Sequence, residues 1–153
     1  MDVAKFLKEQ KVKFELRHHP ERYTAQEVAA AEHISGEEVA KVVIVKTKDG
    51  FIMCVLPATY VLDMKQVKKA LGAKKPRLAT EEELAELFPD CDVGAMPPFG
   101  AEYDLPLYVE EHLAADEKIL IPAGTHSDSV LLSWEDYERI AQPTVAAFGK
   151  HVD

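Results

Sequence analysis

The sequence predicts an α+β domain in which a curved, mixed but mostly antiparallel sheet is surrounded by helices. Three observations carry this. Helix-start signals and short strand patterns occur in the order helix, strand, helix, hairpin, helix, strand, helix, long loop, strands, helix, which is not the regular alternation of a doubly wound fold. Strand-like residues 41–47 and 51–56 flank Lys48-Asp49-Gly50, and Asp-Gly between β-formers is a strong hairpin signal. Finally, 153 residues with 47% hydrophobic and 29% charged content make one domain, residues 1–153, long enough to close its own core.

The elements follow in order. Asp2 caps a first helix over residues 3–10, with Val3, Phe6 and Leu7 as its apolar stripe. Residues 13–17 alternate, which puts Phe14 and Leu16 on one face. Thr24-Ala25-Gln26-Glu27 is a capping box opening an Ala-rich helix to about His33, and Ser35-Gly36-Glu37-Glu38 offers another for a short turn. After the hairpin, Asp63 opens a helix that Gly72 ends, since glycine adopts the left-handed conformation that closes helices. Residues 75–79 read as a strand. Thr80-Glu81-Glu82-Glu83 opens a helix closed by Pro89, its three glutamates a solvated first turn that suits the helix dipole. Beyond a long loop come strands at Leu107–Glu110, 118–121 and 130–133. Ser133 then opens a last helix, Trp134–Ala141, stopped before Pro143.

The formal charge of −9 conceals a division. Residues 1–77 hold 15 Lys and Arg against 10 Asp and Glu, whereas residues 78–153 hold 3 against 17. Such asymmetry within one domain predicts a basic face and an acidic face, so the total does not exclude a polyanionic partner. The longest apolar runs, residues 42–45 and 51–58, are far too short to span a bilayer. The first residues lack the basic and apolar regions of a secretory signal. Cys54 and Cys91 are distant and unaccompanied by ligand spacing, which argues against a disulfide framework or a structural zinc site. No cofactor or metal is expected, and a reducing, cytoplasmic setting is.

Four places hold candidate chemistry. Lys41 begins a run of four apolar β-formers, the pattern of a strand covered on both faces. It either snorkels to water at the strand end or sits on the rim of a pocket; Lys46 runs into the solvated hairpin. In Gly94-Ala95-Met96-Pro97-Pro98-Phe99-Gly100, four of seven residues are Gly or Pro. This is a structural turn or a rigid cradle whose amides face a carbonyl or oxyanion. Thr125-His126-Ser127-Asp128 sets Ser, His and Asp side by side, but contiguous side chains point apart and make no triad. His126 alone is kept as a pocket hydrogen-bonder. His18-His19-Pro20 reads as an exposed strand exit, because no carboxylate or cysteine spacing completes a metal site. Walker, GxGxxG, GxSxG and HExxH patterns are absent.

In this order and spacing, several segments resemble the YbaK/ProX family of aminoacyl-tRNA deacylases, relatives of the editing domain inserted in bacterial prolyl-tRNA synthetases. They are Ala40-Lys41-Val42-Val43-Ile44-Val45, Val55-Leu56-Pro57-Ala58, Leu62-Asp63-Met64-Lys65, residues 71–79 and Val93-Gly94-Ala95-Met96-Pro97-Pro98-Phe99-Gly100. Gly94 and Pro98 match the family's Gly-x-x-x-Pro signature. The resemblance covers nearly the whole chain and implies a partly barrel-like mixed sheet. It also implies hydrolysis of the ester joining a wrongly attached amino acid to the 3′ adenosine of tRNA. Lys41 is then the functional lysine, and Gly94, Ala95, Met96, Pro97 and Pro98 are the wall holding the aminoacyl end. The acceptor end of a mischarged tRNA is the implied partner, and a synthetase a second one. Candidate phosphate contacts lie in the basic half: Lys65, Lys68, Lys69, Lys74, Lys75 and Arg77. Met96-Pro97 and Thr125-His126-Ser127 depart from other members and are expected to reshape the amino-acid pocket. The competing readings are a non-catalytic module binding tRNA or a synthetase, a hydrolase of another small activated ester, and a metal-dependent enzyme using the histidines.

Overall fold

The computed structural model describes residues 1–20, 24–32 and 35–152. The elements are α1 (Val3–Glu9), β1 (Glu15–His18), α2 (Ala25–Glu32), β2 (Ala40–Thr47), β3 (Gly50–Pro57), β4 (Tyr60–Leu62), α3 (Met64–Leu71), β5 (Arg77–Leu78) and α4 (Glu81–Leu87). They continue with β6 (Leu107–Glu110), α5 (Glu111–Ala114), β7 (Lys118–Pro122), β8 (Asp128–Ser133), α6 (Trp134–Ala141), β9 (Thr144–Ala146) and β10 (Gly149–His151). A 3-10 turn, Gly100–Tyr103, interrupts the long loop before β6.

The helix starts sit where short polar side chains can satisfy the free amides of a first turn. Asp2 accepts from the Lys5 N–H, Asp63 from those of Lys65 and Gln66, and Ser133 from that of Asp136. Thr80 and Glu83 make the reciprocal box expected of them. Thr24 Oγ1 accepts from the Glu27 N–H at 3.0 Å, while the expected helix end near His33 lies outside the described residues. Gly72 closes α3 at φ +65°.

Three sheets form among the described residues: β5-β2-β3-β6-β9, β1-β8-β7 and β10-β4. Pairing is antiparallel except for β3 with β6 and β6 with β9, which run parallel. The sheet is therefore mixed and mostly antiparallel, as predicted. None of the three closes among the described residues, so the barrel-like part is not seen. The β2–β3 hairpin turns on Lys48 and Asp49, with Gly50 at φ +136° paired to Thr47. As the apolar run of β2 predicts, both of its faces are covered. Val42 and Ile44 enter the main core with Met53, Val109, Ile121 and Tyr137, while Val45 packs in a second cluster with Cys54, Val67 and Phe148.

Departures from expectation are local. Leu16 is 57% exposed, because β1 lies at a sheet edge where its face is left open. Of the expected strand 75–79, residues 77 and 78 pair with β2 and the Ala79 N–H donates to the Ile44 carbonyl at 2.9 Å; its first two residues stay out, since Lys75 has φ +50° and Pro76 has no amide to offer a ladder.

Candidate active site

The end of β2 positions the site. Val39 bridges to Leu120 in β7, and the Leu120 N–H donates to the Glu38 carbonyl at 2.9 Å. The large sheet thus abuts the three-stranded one at the start of β2. At this junction opens a cleft enclosing about 450 Å³ of empty space, its mouth included. Lys41, paired in register with Leu56, lines it. The lysine is half-buried, and burial lowers its ammonium pKa. A desolvated cation facing a cleft exerts a stronger field on a bound anion or carbonyl than one in bulk water.

Facing it are two loops tied to each other. The Asp92 N–H donates to the Gly124 carbonyl at 2.8 Å and the Gly124 N–H to the Ala95 carbonyl at 2.9 Å. Asp92 Oδ2 also accepts from the His126 N–H at 3.2 Å. Gly94 sits at φ +89°, and a Cβ there would meet His126 Cε1 at 3.6 Å. That contact is ordinary, so backbone strain rather than space calls for glycine.

Of the residues expected from sequence, Lys41, Gly94, Ala95 and His126 line the cleft. Met96, Pro97 and Pro98 stand behind the wall. All three are buried, Met96 packs in the main core, and the Pro98 carbonyl accepts from the Tyr137 hydroxyl at 2.6 Å. They set the loop's path, and the Met96 side chain fills the interior rather than the cleft. Two loop amides are already engaged: that of Gly94 with Met96 Sδ at 3.2 Å and that of Ala95 with the Asp92 carbonyl at 3.0 Å.

The adjacent polar residues 126–128 form no triad, as expected. Asp128 Oδ2 accepts from Thr125 Oγ1 at 2.6 Å, and its Oδ1 lies 2.8 Å from His18 Nδ1. These bonds, that from Thr125 foremost, hold the Asp128 carboxyl below the usual carboxylate range. The exposed-exit reading of the histidine pair holds for His18 and fails for His19, which is only 5% exposed and lines the cleft with Ser129. The missed signal is strand geometry. Neighbouring side chains point to opposite faces, so two adjacent histidines cannot both face water from one covered sheet.

One group of metal-ligand type exists among the described residues, Glu110, Glu111 and His112, with candidate atoms within 4.8 Å of one another. It is outside the cleft. The Glu110 carboxylate there already binds His112 Nδ1 and the amides of Phe148 and Gly149.

Of the expected phosphate contacts, Lys65, Lys68, Lys69, Lys74 and Lys75 are exposed. Arg77 is committed elsewhere: its guanidinium holds Glu83 bidentately at 2.7 and 3.0 Å, drawing that carboxyl down to about 2. No helix among the described residues is long and apolar enough to cross a membrane.

Residues 19–140 match the family model described as "Aminoacyl-tRNA editing domain". The chain is 32% identical over 114 residues to the Escherichia coli (strain K12) "Multifunctional Ser/Thr-tRNA deacylase ProXp-y", covering 71% of this chain and 68% of that one. It is 26% identical over 96 residues to a Bacillus cereus (strain AH187) proline–tRNA ligase, covering 63% of this chain and 17% of the ligase. Its fold matches a solved structure described as "a putative trans-editing enzyme for prolyl tRNA synthetase", with a TM-score of 0.84 at 22% identity and coverage of 97% and 95% of the two chains. The match spans the cleft, from His19 through Lys41 and the Gly94 loop to Ser129, and the chain belongs to the aminoacyl-tRNA editing domain family.

Proposed function

We propose that this protein is a trans-acting aminoacyl-tRNA deacylase, hydrolysing the ester of mischarged tRNA in the cytoplasm with residues 1–153 acting as one editing domain. The observation that carries the reading is Lys41, a half-buried ammonium whose pKa burial lowers, lining a small cleft. The extent of the domain is supported by Val3, Leu7 and Phe148, which lie outside the matched segment and are buried in the cores.

An aminoacyl ester is already activated, so the site needs to position it and stabilise the charge that develops on its carbonyl oxygen. Lys41 supplies the opposing positive charge, either at the ester or at the terminal phosphate. The backbone around Gly94 and Ala95 walls the acyl group, and water, assisted by the neighbouring ribose hydroxyl, attacks the carbonyl; the bond to the ribose oxygen breaks, the oxygen takes a proton from the water, and free amino acid and uncharged tRNA leave. One well-placed electrostatic group of this kind is worth on the order of a hundredfold in rate. The relative's Ser/Thr specificity and the polar lining at Thr125, His126 and Ser129 favour a small, polar amino acid. A synthetase is the natural source of the mischarged tRNA.

The test is release of free amino acid from a panel of mischarged tRNAs that includes seryl- and threonyl-tRNA. Wild type releases amino acid from at least one, and Lys41→Ala, folded by circular dichroism, loses roughly a hundredfold or more. Full activity in Lys41→Ala removes the lysine from the mechanism. Binding of tRNA with no release by wild type makes the protein a binding module instead.

A further inference from the structure

His19 and Ser129 form a hydrogen-bonded pair in which the geometry places a proton on one ring nitrogen. His19 Nδ1 lies 3.0 Å from the Pro20 carbonyl, and its Nε2 lies 3.1 Å from Ser129 Oγ. A carbonyl oxygen can only accept, so Nδ1 carries the ring proton. With Nδ1 carrying the ring's one proton, Nε2 is an acceptor and the Ser129 hydroxyl donates to it. With its one proton committed to His19, Ser129 Oγ has only lone pairs left to offer. Both residues are almost fully buried, at 5% and 4% exposure, yet both line the cleft. The arrangement is therefore shielded from the water that would otherwise reorient the hydroxyl.

Acceptors in this cleft have a specific use. An aminoacyl ester differs from other acyl esters by its α-amine, which in its protonated form carries N–H donors and no acceptor. Lys41 presents the same charge and the same donors, so it repels that group. Resting on the deacylase reading, we propose that Ser129 Oγ is the acceptor that recognises the substrate's α-ammonium, and that His19 is the positioning residue that keeps it an acceptor. The site thereby selects for a free amino acid at the ester, and against acyl groups whose α-position carries no charge.

The experiment compares each aminoacyl-tRNA that wild type cleaves with its deaminated counterpart, in which an α-hydroxyl replaces the α-ammonium at nearly constant size. Wild type is expected to prefer the aminoacyl form by about tenfold or more, the scale of one charge-assisted hydrogen bond. Ser129→Ala should lower kcat/KM for the aminoacyl form by more than for the α-hydroxyacyl form, whose hydroxyl also donates but carries no charge, so that the preference largely collapses. His19→Asn keeps a donor for the Pro20 carbonyl and removes the acceptor for Ser129, and should collapse it in the same way. Lys41→Ala should slow both substrates and, by removing a like charge, leave the preference no smaller than in wild type. Nitrogen-15 NMR of the imidazole supplies a readout independent of turnover: Nδ1 protonated and Nε2 bare in wild type. A ring protonated on Nε2, alone or together with Nδ1, overturns the proposal, as does a Ser129→Ala variant that keeps the full preference. If wild type cleaves no aminoacyl-tRNA at all, the deacylase reading falls and takes the proposal with it; cleavage with an unchanged ratio in Ser129→Ala sinks the proposal alone.

Discussion

Asp116 shows what a single residue costs this fold. Its Oδ2 is buried with no hydrogen-bond partner among the described residues, and burial, then the nearby charges of Glu38 and Glu37, push its carboxyl up to about 6. A carboxyl whose pKa is raised by folding binds its proton more tightly in the native state. Stability therefore falls as pH rises from about 4, where the unfolded group titrates, to about 6, and the full penalty is present at pH 7. Asp116→Asn should stabilise the protein at pH 7 by about 1 kcal/mol, a value reduced for solvent screening. The gain should vanish below pH 4, as thermal melts at the two pH values would reveal. The same scale decides what the sequence could disclose about the site. Lys41 is legible because a charge at the head of an apolar strand has few places to go, and Gly94 because a dense Gly/Pro loop dictates its backbone. His19 and Ser129 are not, since their roles come from the pairing of β1 with β8, which joins residues 110 positions apart.

At the scale of elements, the C-terminal segment is held by a carboxylate. Glu110, at the end of β6 and with 0% exposure, accepts from the Phe148 and Gly149 amides at 2.7 and 2.8 Å. Its other oxygen meets His112 Nδ1 at 2.5 Å, and the His112 ring stacks on Tyr60 of β4, the strand that β10 pairs with. Glu110→Ala leaves two amides without their acceptor and should cost about 3 kcal/mol. Denaturant titration measures the loss, and hydrogen exchange should show Phe148 and Gly149 losing protection before the β2–β3 hairpin does. An undiminished denaturation midpoint would refute this role. Strand β10 itself is not readable from the sequence: three residues are too few to display a period, and the side chain that anchors the segment lies 38 positions before Phe148. The helices are readable because their caps are local. Asp2, Asp63, Thr80 and Ser133 each bond an amide two or three residues away, so each signal lies within a few letters of sequence.

At the scale of the whole molecule, the charge division acquires a direction. Lys41 and Lys46 stand five residues apart on β2, about 17 Å along an antiparallel strand. The Lys46 end carries Lys48, Lys74 and Lys75, the Lys48 amide bonding the Lys74 carbonyl at 3.0 Å. The basic cluster therefore lies a strand's length from the cleft, suited to phosphates beyond the terminal nucleotide rather than to the ester itself. Reversing Lys68, Lys69, Lys74 and Lys75 to Glu should weaken tRNA binding and flatten its salt dependence, the log–log slope falling by roughly 0.7–0.9 for each phosphate no longer neutralised. Affinity equal to wild type would exclude this face. Arg77→Ala should leave the slope unchanged, since that guanidinium is held by Glu83.

The two backbone bonds that join residues 92 and 95 to Gly124 also limit how the cleft can be altered. Lengthening either loop by one residue would misalign its partner, so the pair tolerates insertions only when both change together. Exchanging side chains at fixed length breaks nothing. Altered amino-acid preference in proteins sharing this cleft should therefore arise by point substitution at positions such as 125 and 126, with loop lengths held constant.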